Sequence, residues 1–334
     1  MKKKKLYLDI LRIIAIWMVF NLHFTVAMGR YSGVFFGFAN GNWGNVGTAL
    51  FFLISGNCLA RNYGEKIKIG EFYKKRWLAI FPMFYVCYLL VWFGHSVILG
   101  NHVWEGIEPW RAVFTLIGID KYLEFANVPS GALVGEWYTA IILGVYLLFP
   151  LLQILYRKSK IAGTVIVLTL YILNVIFTWG PFPDDAHIIT GICMFWFGML
   201  SFRFEKKLEN MPWYAWGGVL LCGLVIMFIS LPGPDLIYKN LLAMGIFILF
   251  MRGGTCLKKE NRVLGFFCKV EYALYLCHHT VILVLLSFYN QVFGQVEPIS
   301  YYCISLIASL VFATFITYLT GWMMKIFTKK KALS

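Results

Sequence analysis

The chain of 334 residues is 60% hydrophobic and only 14% charged, and its mean hydropathy is +0.72. Soluble domains carry roughly a quarter charged residues, so a soluble globular class is excluded. The net charge of +14 would suit a nucleic-acid partner, but Lys and Arg lie in short clusters between apolar runs, as the positive-inside rule produces. The composition therefore indicates an integral membrane protein that binds no nucleic acid.

Ten apolar runs follow one another along the chain, separated by short polar segments. A bilayer core about 30 Å thick needs roughly 20 residues of helix to cross it. We therefore predict an all-α polytopic membrane protein, a single transmembrane domain over residues 1–334, with ten transmembrane helices at 6–27, 45–60, 77–98, 134–156, 161–180, 187–204, 213–231, 235–251, 263–289 and 300–327.

Lys and Arg divide unequally between the two sides of these spans. Of the 30, 24 are counted on the side that holds both chain ends and 4 on the other side, with residues near the end of a span assigned to the nearer side, and Arg12 and Lys269 lie deeper within spans. Because cytoplasmic loops are the basic ones, both termini are predicted to be cytoplasmic, in the plasma membrane of a bacterial-type cell. The longest outer loop, 99–133, contains an apolar segment at 108–119 that is too short to span, which predicts an interfacial or re-entrant helix.

Ionisable residues are rare inside the predicted spans, and the first span holds three of them. An ionisable side chain there costs at least a few kcal/mol, so each one is a candidate for function. Arg12 and His23 are 11 residues apart, about three helical turns, and project from one face. Asp9 precedes Arg12 by three residues and can pair with it. The alternative is a snorkelling Asp9–Arg12 pair and an interhelical hydrogen bond from His23.

The ninth span carries a second polar face. Glu271, Tyr275 and His278 follow i, i+4, i+7 spacing, which places them on one side of a helix. The face is a candidate for function for the same reason as the first. A structural alternative is an ion pair between Lys269 and Glu271, with His278 bonded to a backbone carbonyl.

Five segments in chain order carry recognisable motifs. They are 7–24 (YLDILRIIAIWMVFNLHF), 51–60 (FFLISGNCLA), 73–85 (YKKRWLAIFPMFY), 136–150 (EWYTAIILGVYLLFP) and 273–282 (ALYLCHHTVI). They resemble the L-D-x-L-R element ending in His, the F-F-x-x-S-G-x-x-L element, the basic entry to the third span, the W…Y…P segment and the I-Y-L-x-H element of acyltransferase family 3. This family consists of membrane O-acyltransferases, and the resemblance extends over essentially the whole chain.

The resemblance implies transfer of an acyl group from cytoplasmic acyl-CoA to a hydroxyl of a cell-surface or exopolysaccharide sugar. It implies acyl-CoA as the donor, with acetyl-CoA favoured, and no metal. The expected partners are the lipid bilayer and a glycan or lipid-linked sugar acceptor, and a homodimer is left open. The candidate residues are, for catalysis, His23, Asp9, Ser55 and His278; for the donor, Arg12, Arg76 and Lys75; and for substrate or structural support, Trp137, Tyr275, Glu271 and Glu136.

Two positions depart from the family pattern. Ala79 stands where the family usually repeats an Arg, so the donor's negative charge falls to Lys75 and Arg76. Ile142 stands where O-antigen-type members carry a Glu, which makes the chain more similar to the branch that transfers small acetyl groups. Glu136 does not occupy that position.

Imidazole suits general base catalysis near neutral pH, so His23 is the candidate base for an acceptor hydroxyl that attacks the thioester. A covalent acyl-histidine intermediate is the rival order of steps. Ser55 is a candidate to hydrogen-bond the thioester oxygen or the acceptor, or else a helix-packing residue. The competing functions are a transporter or flippase of polysaccharide precursors, since buried ionisable groups also mark transport pathways, and a non-catalytic sensor.

Overall fold

A computed structural model of the chain describes residues 5–29, 43–63, 67–98, 100, 103–135, 137–177, 179–229, 233–256, 262–294 and 297–331. All regular structure in these ranges is helical, which confirms the predicted all-α class. The described residues include ten helices of 16 residues or more: α1 Leu6–Ala27, α2 Trp43–Tyr63, α3 Ile69–Phe93, α4 Trp137–Lys158, α5 Lys160–Ile176, α6 Ile188–Arg203, α7 Trp213–Phe228, α8 Asp235–Gly253, α9 Arg262–Phe293 and α10 Pro298–Lys331.

Six helices in the described part of the chain are long and apolar enough to cross a membrane. They are α1, α3, α4, α8, α9 and α10. The helices α5, α6 and α7 are apolar but only 16 or 17 residues long. Length and composition thus identify six candidate spans, and the larger number that the sequence predicts remains a prediction.

Helix α3 differs most from its predicted bounds, since it begins at Ile69 rather than at residue 77. Its first two turns bury Phe72 and expose Glu71, Lys74 and Lys75. A hydropathy pattern registers long apolar runs and misses such an amphipathic extension. A π-helical turn, Gly94–Ile98, follows α3 directly.

The chain divides into two compact units. The first comprises residues 1–69 and 141–268, with α1, α2, α5, α6, α7, α8 and most of α4. The second comprises residues 70–140 and 269–334, with α10, most of α9 and all of α3 but its first residue.

Helix α2 organises the first unit, where it packs against α1, α6 and α8. A Cβ atom at Gly56 would collide with the backbone carbonyl of Phe195, and one at Gly198 would collide with that of Leu53. The backbones of α2 and α6 therefore touch directly, as small residues allow between membrane helices.

An ionic network of Lys5, Arg61, Glu205 and Glu209 joins the N-terminal end of α1, the C-terminal end of α2 and the segment that follows α6. The Nζ atom of Lys5 lies 3.3 Å from Glu205 Oε1 and 2.6 Å from Glu209 Oε1. Arg61 pairs with the same Glu205. These contacts attach the N-terminal end of α1 to the short helix Glu205–Glu209 that follows α6.

In the second unit, the segment 103–135 connects α3 to α4 and contacts α9. Thr280 of α9 donates a hydrogen bond to the carbonyl of Leu133 at 2.9 Å, and the Gly135 N–H donates to that of Leu276 at 3.1 Å. Within the segment, the predicted element at 108–119 forms two short helices, Pro109–Arg111 and Ala112–Leu116. Four apolar side chains there are exposed, namely Trp110, Val113, Leu116 and Ile117.

Asp120 is a buried carboxyl of this segment. Its side chain is 2% exposed and accepts the N–H of Lys121 at 2.9 Å. Burial raises the pKa of Asp120 to about 6. Because the folded protein then holds this proton more tightly than the unfolded chain does, the stability contributed at Asp120 falls as the pH rises from about 4 to about 6.

Replacing Gly56 with Ala should lower the free energy of unfolding by about 1–3 kcal/mol, because the added methyl group forces α2 away from the α6 backbone. Gly218→Ala is the matched control, since Gly218 is exposed on α7 with no atom near its Cβ position. Thermal unfolding of both purified variants in detergent provides the measurement. Equal midpoints for Gly56→Ala and the wild type would contradict the close approach.

Asp120→Asn should remove the pH dependence described above, because an amide does not ionise. At pH 7 the backbone amides of this segment should be more protected from hydrogen exchange in the variant than in the wild type, with an opening free energy higher by up to about 3 kcal/mol. Hydrogen exchange of the region 115–123 between pH 4 and pH 8 measures this, with Glu105→Gln, an exposed carboxylate of the same segment, as the control. A wild-type protection profile that is flat over this range would show that Asp120 does not titrate there.

Candidate functional site

The polar face of α1 is the centre of the candidate site in the first unit. Asp9 is 3% exposed, and its Oδ1 lies 3.5 Å from Arg12 Nη1, the pair that their spacing predicts. The other terminal nitrogen of Arg12, Nη2, lies 3.5 Å from Cys58 Sγ on α2. The Cys268 thiol points to the backbone oxygen of Asp9 at 3.7 Å. The Arg12 side chain keeps 31% of its surface exposed.

His23 lies farther along the same helix. The 11 residues from Arg12 correspond to a rise of about 17 Å. His23 is half-buried. Its role in proton transfer stays a prediction.

A serine–tyrosine pair joins α2 to α4 in the same unit. Ser55 Oγ and the Tyr146 hydroxyl are 2.8 Å apart, and either can be the donor. Ser55 holds its position because the adjacent Gly56 lies against the α6 backbone. In such a pair one O–H bonds the two oxygens together, and the other can be donated to a third group.

Tyr146 received no function from the sequence, although it belongs to the W…Y…P segment. Ser55 and Tyr146 both belong to recognised motifs. The order of motifs along the chain, however, does not show which side chains contact each other. Cys58, the α2 contact of Arg12, was missed for the same reason. It lies one turn from Ser55 on α2, the spacing that puts two side chains on one face.

The second unit brings together residues of two motifs around Tyr275. Its hydroxyl lies 3.3 Å from Thr139 Oγ1, near the start of α4. Its ring meets Tyr138 edge-on, with centroids 5.6 Å apart. Trp137 is the first residue of α4 and is half-buried. The beginning of α4 and the middle of α9 thus form one aromatic cluster.

His278 is fully buried on the same helix as Tyr275. Its Nδ1 lies 3.0 Å from the carbonyl oxygen of Leu274 and 2.9 Å from that of Tyr275. Since carbonyl oxygens only accept, Nδ1 carries a hydrogen, and a neutral ring then has its lone pair on Nε2. The carbonyl bond expected from the structural alternative is therefore present. The role of His278 in the reaction stays a prediction.

The predicted alternative pairing of Lys269 with Glu271 is wrong. Lys269 Nζ lies 4.0 Å from the ring centroid of Tyr318 on α10, and in the described part of the chain this lysine forms no ion pair. Residues two positions apart on a helix project in nearly opposite directions, which explains the difference. Glu271 is half-buried, one turn before Tyr275.

The remaining predicted residues divide between the units. Arg76 is half-buried and Lys75 is exposed, both on the first turns of α3 in the second unit, whereas Arg12 belongs to the first. The two histidines are divided in the same way. Glu136 lies outside the described residues. Within the described ranges, no group of three or more His, Cys, Asp or Glu side chains is placed to hold a metal ion.

All of these residues fall within one sequence family match. A family model described as an acyltransferase domain, that of acyltransferase family 3, matches residues 5–318. The chain is also 25% identical over 161 residues to the acyltransferase MdmB of Streptomyces mycarofaciens, an alignment that covers 45% of this chain and 39% of the relative. The chain thus spans well under half the length of that relative. No solved structure matches the chain. Because the match covers nearly all of its residues, the chain belongs to acyltransferase family 3.

Proposed function

We propose that the protein is a membrane O-acyltransferase that moves an acyl group, with acetyl favoured, from cytoplasmic acyl-CoA to a hydroxyl of a cell-surface or exopolysaccharide sugar. The observation that carries the proposal is the ion pair between the buried Asp9 and the half-buried Arg12 on α1, an apolar helix of 22 residues that also holds His23. Ionisable groups in a membrane helix cost free energy, and they are therefore rarely kept there without a function. Membership of the family supplies the reaction class.

The proposed topology has ten spans in the plasma membrane and both termini in the cytoplasm. It rests on the charge difference between the two sides, and it includes α2 and the three shorter helices α5, α6 and α7 as further spans. Under this topology Arg12 lies about 9 Å from the cytoplasmic end of α1 and His23 about 25 Å from it. The two residues therefore suit a donor that arrives from one side and an acceptor that arrives from the other.

Arg12 is proposed to bind the phosphates of the donor. A guanidinium binds phosphate oxygens through two parallel charge-assisted hydrogen bonds. Asp9 and Cys58 lie against the two terminal nitrogens of Arg12 and orient the guanidinium, and 31% of the side chain is exposed. Lys75 and Arg76, near the start of α3, are further candidates for binding the donor.

The proposed chemical step uses His23 as a general base. A ring nitrogen takes the proton of the acceptor hydroxyl while that oxygen forms a bond to the thioester carbonyl carbon. The carbon–sulfur bond then breaks, and the leaving thiolate of CoA takes the proton from the imidazolium. An acyl-histidine intermediate is the rival order of steps.

Two groups of residues have supporting parts in the proposal. The Ser55–Tyr146 pair supplies an O–H that can donate to the carbonyl oxygen as negative charge develops on it. His278, with Nδ1 tied to the backbone, is the second candidate for proton transfer. Glu136, Trp137, Glu271 and Tyr275 are proposed to support the binding of a glycan or lipid-linked sugar.

His23→Ala should reduce glycan acylation by about two to four orders of magnitude, the usual contribution of a general base. The measurement is transfer from radiolabelled acetyl-CoA to the surface glycan fraction, in membranes that contain equal amounts of folded protein. His95→Ala is the matched control, since His95 lies in the π-helical turn after α3 and has no part in the mechanism. Activity near wild type in His23→Ala would remove this residue from the reaction.

Arg12→Gln should raise the KM for acetyl-CoA roughly 10- to 100-fold, because hydrogen bonds between charged groups contribute about 1.5–3 kcal/mol. Arg12→Lys keeps the charge but loses the bidentate geometry, so its KM for acetyl-CoA should lie between that of the wild type and that of Arg12→Gln. Arg157→Gln, an exposed arginine at the end of α4, should leave the KM unchanged. A normal KM together with a lower kcat in Arg12→Gln would argue against donor binding.

A further inference from the structure

The first unit contains an apolar cavity that the proposed reaction does not use. Its volume is about 460 Å³, which lies within the range of small-molecule pockets, roughly 300–1,000 Å³. It lies among α2, α6, α8 and the short helix Glu205–Glu209. The donor's two-carbon acetyl group has no need of a space of this size, so the cavity calls for a different occupant.

The side chains that line the cavity are buried at its interior end and exposed at its surface end. Leu53 and Phe247 are buried, at 2% and 1% exposure, and form the interior end. Phe204 is 45% exposed and Lys207 is exposed, so these two mark the rim. Between them the walls are formed by half-buried apolar side chains, among them Leu200 and Ile248. An occupant must therefore combine an alkyl chain with a polar group at one end.

The positive charge at the rim indicates that the polar group of the occupant is anionic. Lys207 lines the rim, and two further basic residues, Arg203 and Lys206, lie within four residues of it in sequence without lining the cavity. Within the described residues none of the three forms an ion pair. The nearby acids do not neutralise them, because Glu205 and Glu209 are already paired with Lys5 and Arg61. The rim thus presents net positive charge to whatever occupies the cavity.

We infer that this cavity is a binding site for an anionic phospholipid of the cytoplasmic leaflet, with an acyl chain among α2, α6 and α8 and the phosphate beside Lys207. Basic pockets between membrane helices on the cytoplasmic side select anionic headgroups in this way. The inference rests on the proposed topology, which places the end of α6 at the cytoplasmic face, and not on the proposed acyl transfer.

The test is native mass spectrometry of the full-length protein in detergent, titrated with phosphatidylglycerol or with phosphatidylcholine of identical acyl chains. The wild type should retain phosphatidylglycerol preferentially. Lys207→Gln should weaken this retention about fivefold, and the triple variant of Arg203, Lys206 and Lys207 to Gln about a hundredfold. Lys158→Gln, an exposed lysine at the end of α4, is the control and should change nothing.

Three results would overturn the inference. Equal retention of the two lipids would mark the cavity as a place for bulk lipid, and equal losses in Lys207→Gln and Lys158→Gln would place the selectivity elsewhere. Displacement of bound phosphatidylglycerol by palmitoyl-CoA at lower concentration would assign the cavity to a long-chain donor instead. A second variant, Ile248→Trp, fills the cavity without changing the charge, and it should lower the retention of both lipids.

Loss of lipid selectivity and loss of acyl transfer are separate observations. Lys207→Gln leaves Arg12, His23 and Ser55 unchanged, so acylation by this variant reports on the proposed function independently. Selective lipid binding in a protein without acyl transfer would support this inference and contradict the proposed function.

Discussion

The contact between the backbones of α2 and α6 determines where most of the first unit's polar groups lie. Gly56 and Gly198 remove the side chains that would hold these helices apart. With α2 in this position, Ser55 meets Tyr146 and Cys58 meets Arg12. Arg61, one turn beyond Cys58 on α2, pairs with Glu205. Asn57, between Ser55 and Cys58, donates a hydrogen bond to Ser201 Oγ at 2.9 Å. A single helix thus connects Ser55 and the Arg12 contact with the ionic network and the wall of the apolar cavity.

A second constraint comes from the cost of placing ions among apolar side chains. Asp9 is nearly inaccessible, so its carboxylate needs the neighbouring guanidinium. Pairing at i, i+3 keeps both groups on one helix, and the Sγ atom of Cys58 lies against the other terminal nitrogen of Arg12. Lys269 shows a different arrangement, in which the cation lies over an aromatic ring at an exposed position. The two basic residues within predicted spans are therefore in unlike environments, and only Arg12 has the partners of a binding residue.

Much of the fold follows from the sequence because hydrophobic length is a local property. Helix α1 has its predicted bounds, and each predicted span has a corresponding helix in the described residues. The start of α3 was missed because exposed Lys and Glu side chains hide an amphipathic helix from a hydropathy pattern. The motifs identified Ser55 and Gly56, but they did not show that Tyr146 is the hydroxyl partner. The alternative ion pair of Lys269 with Glu271 does not form, because residues close in sequence need not face each other on a helix, and Lys269 lies over the Tyr318 ring instead. Contacts between distant segments depend on packing, and a single sequence does not determine it.

The direct contact of α2 with α6 also limits how the protein can move. Two helices whose main chains touch cannot slide or separate without opening a void that no side chain is present to fill. Conformational change during a reaction cycle must therefore occur in other elements of the first unit. Helix α7 contrasts with α2, because none of its residues is buried and it packs chiefly against α8. The unit thus combines an inflexible pair of helices that carries the polar groups with a peripheral helix that is free to adjust to its surroundings.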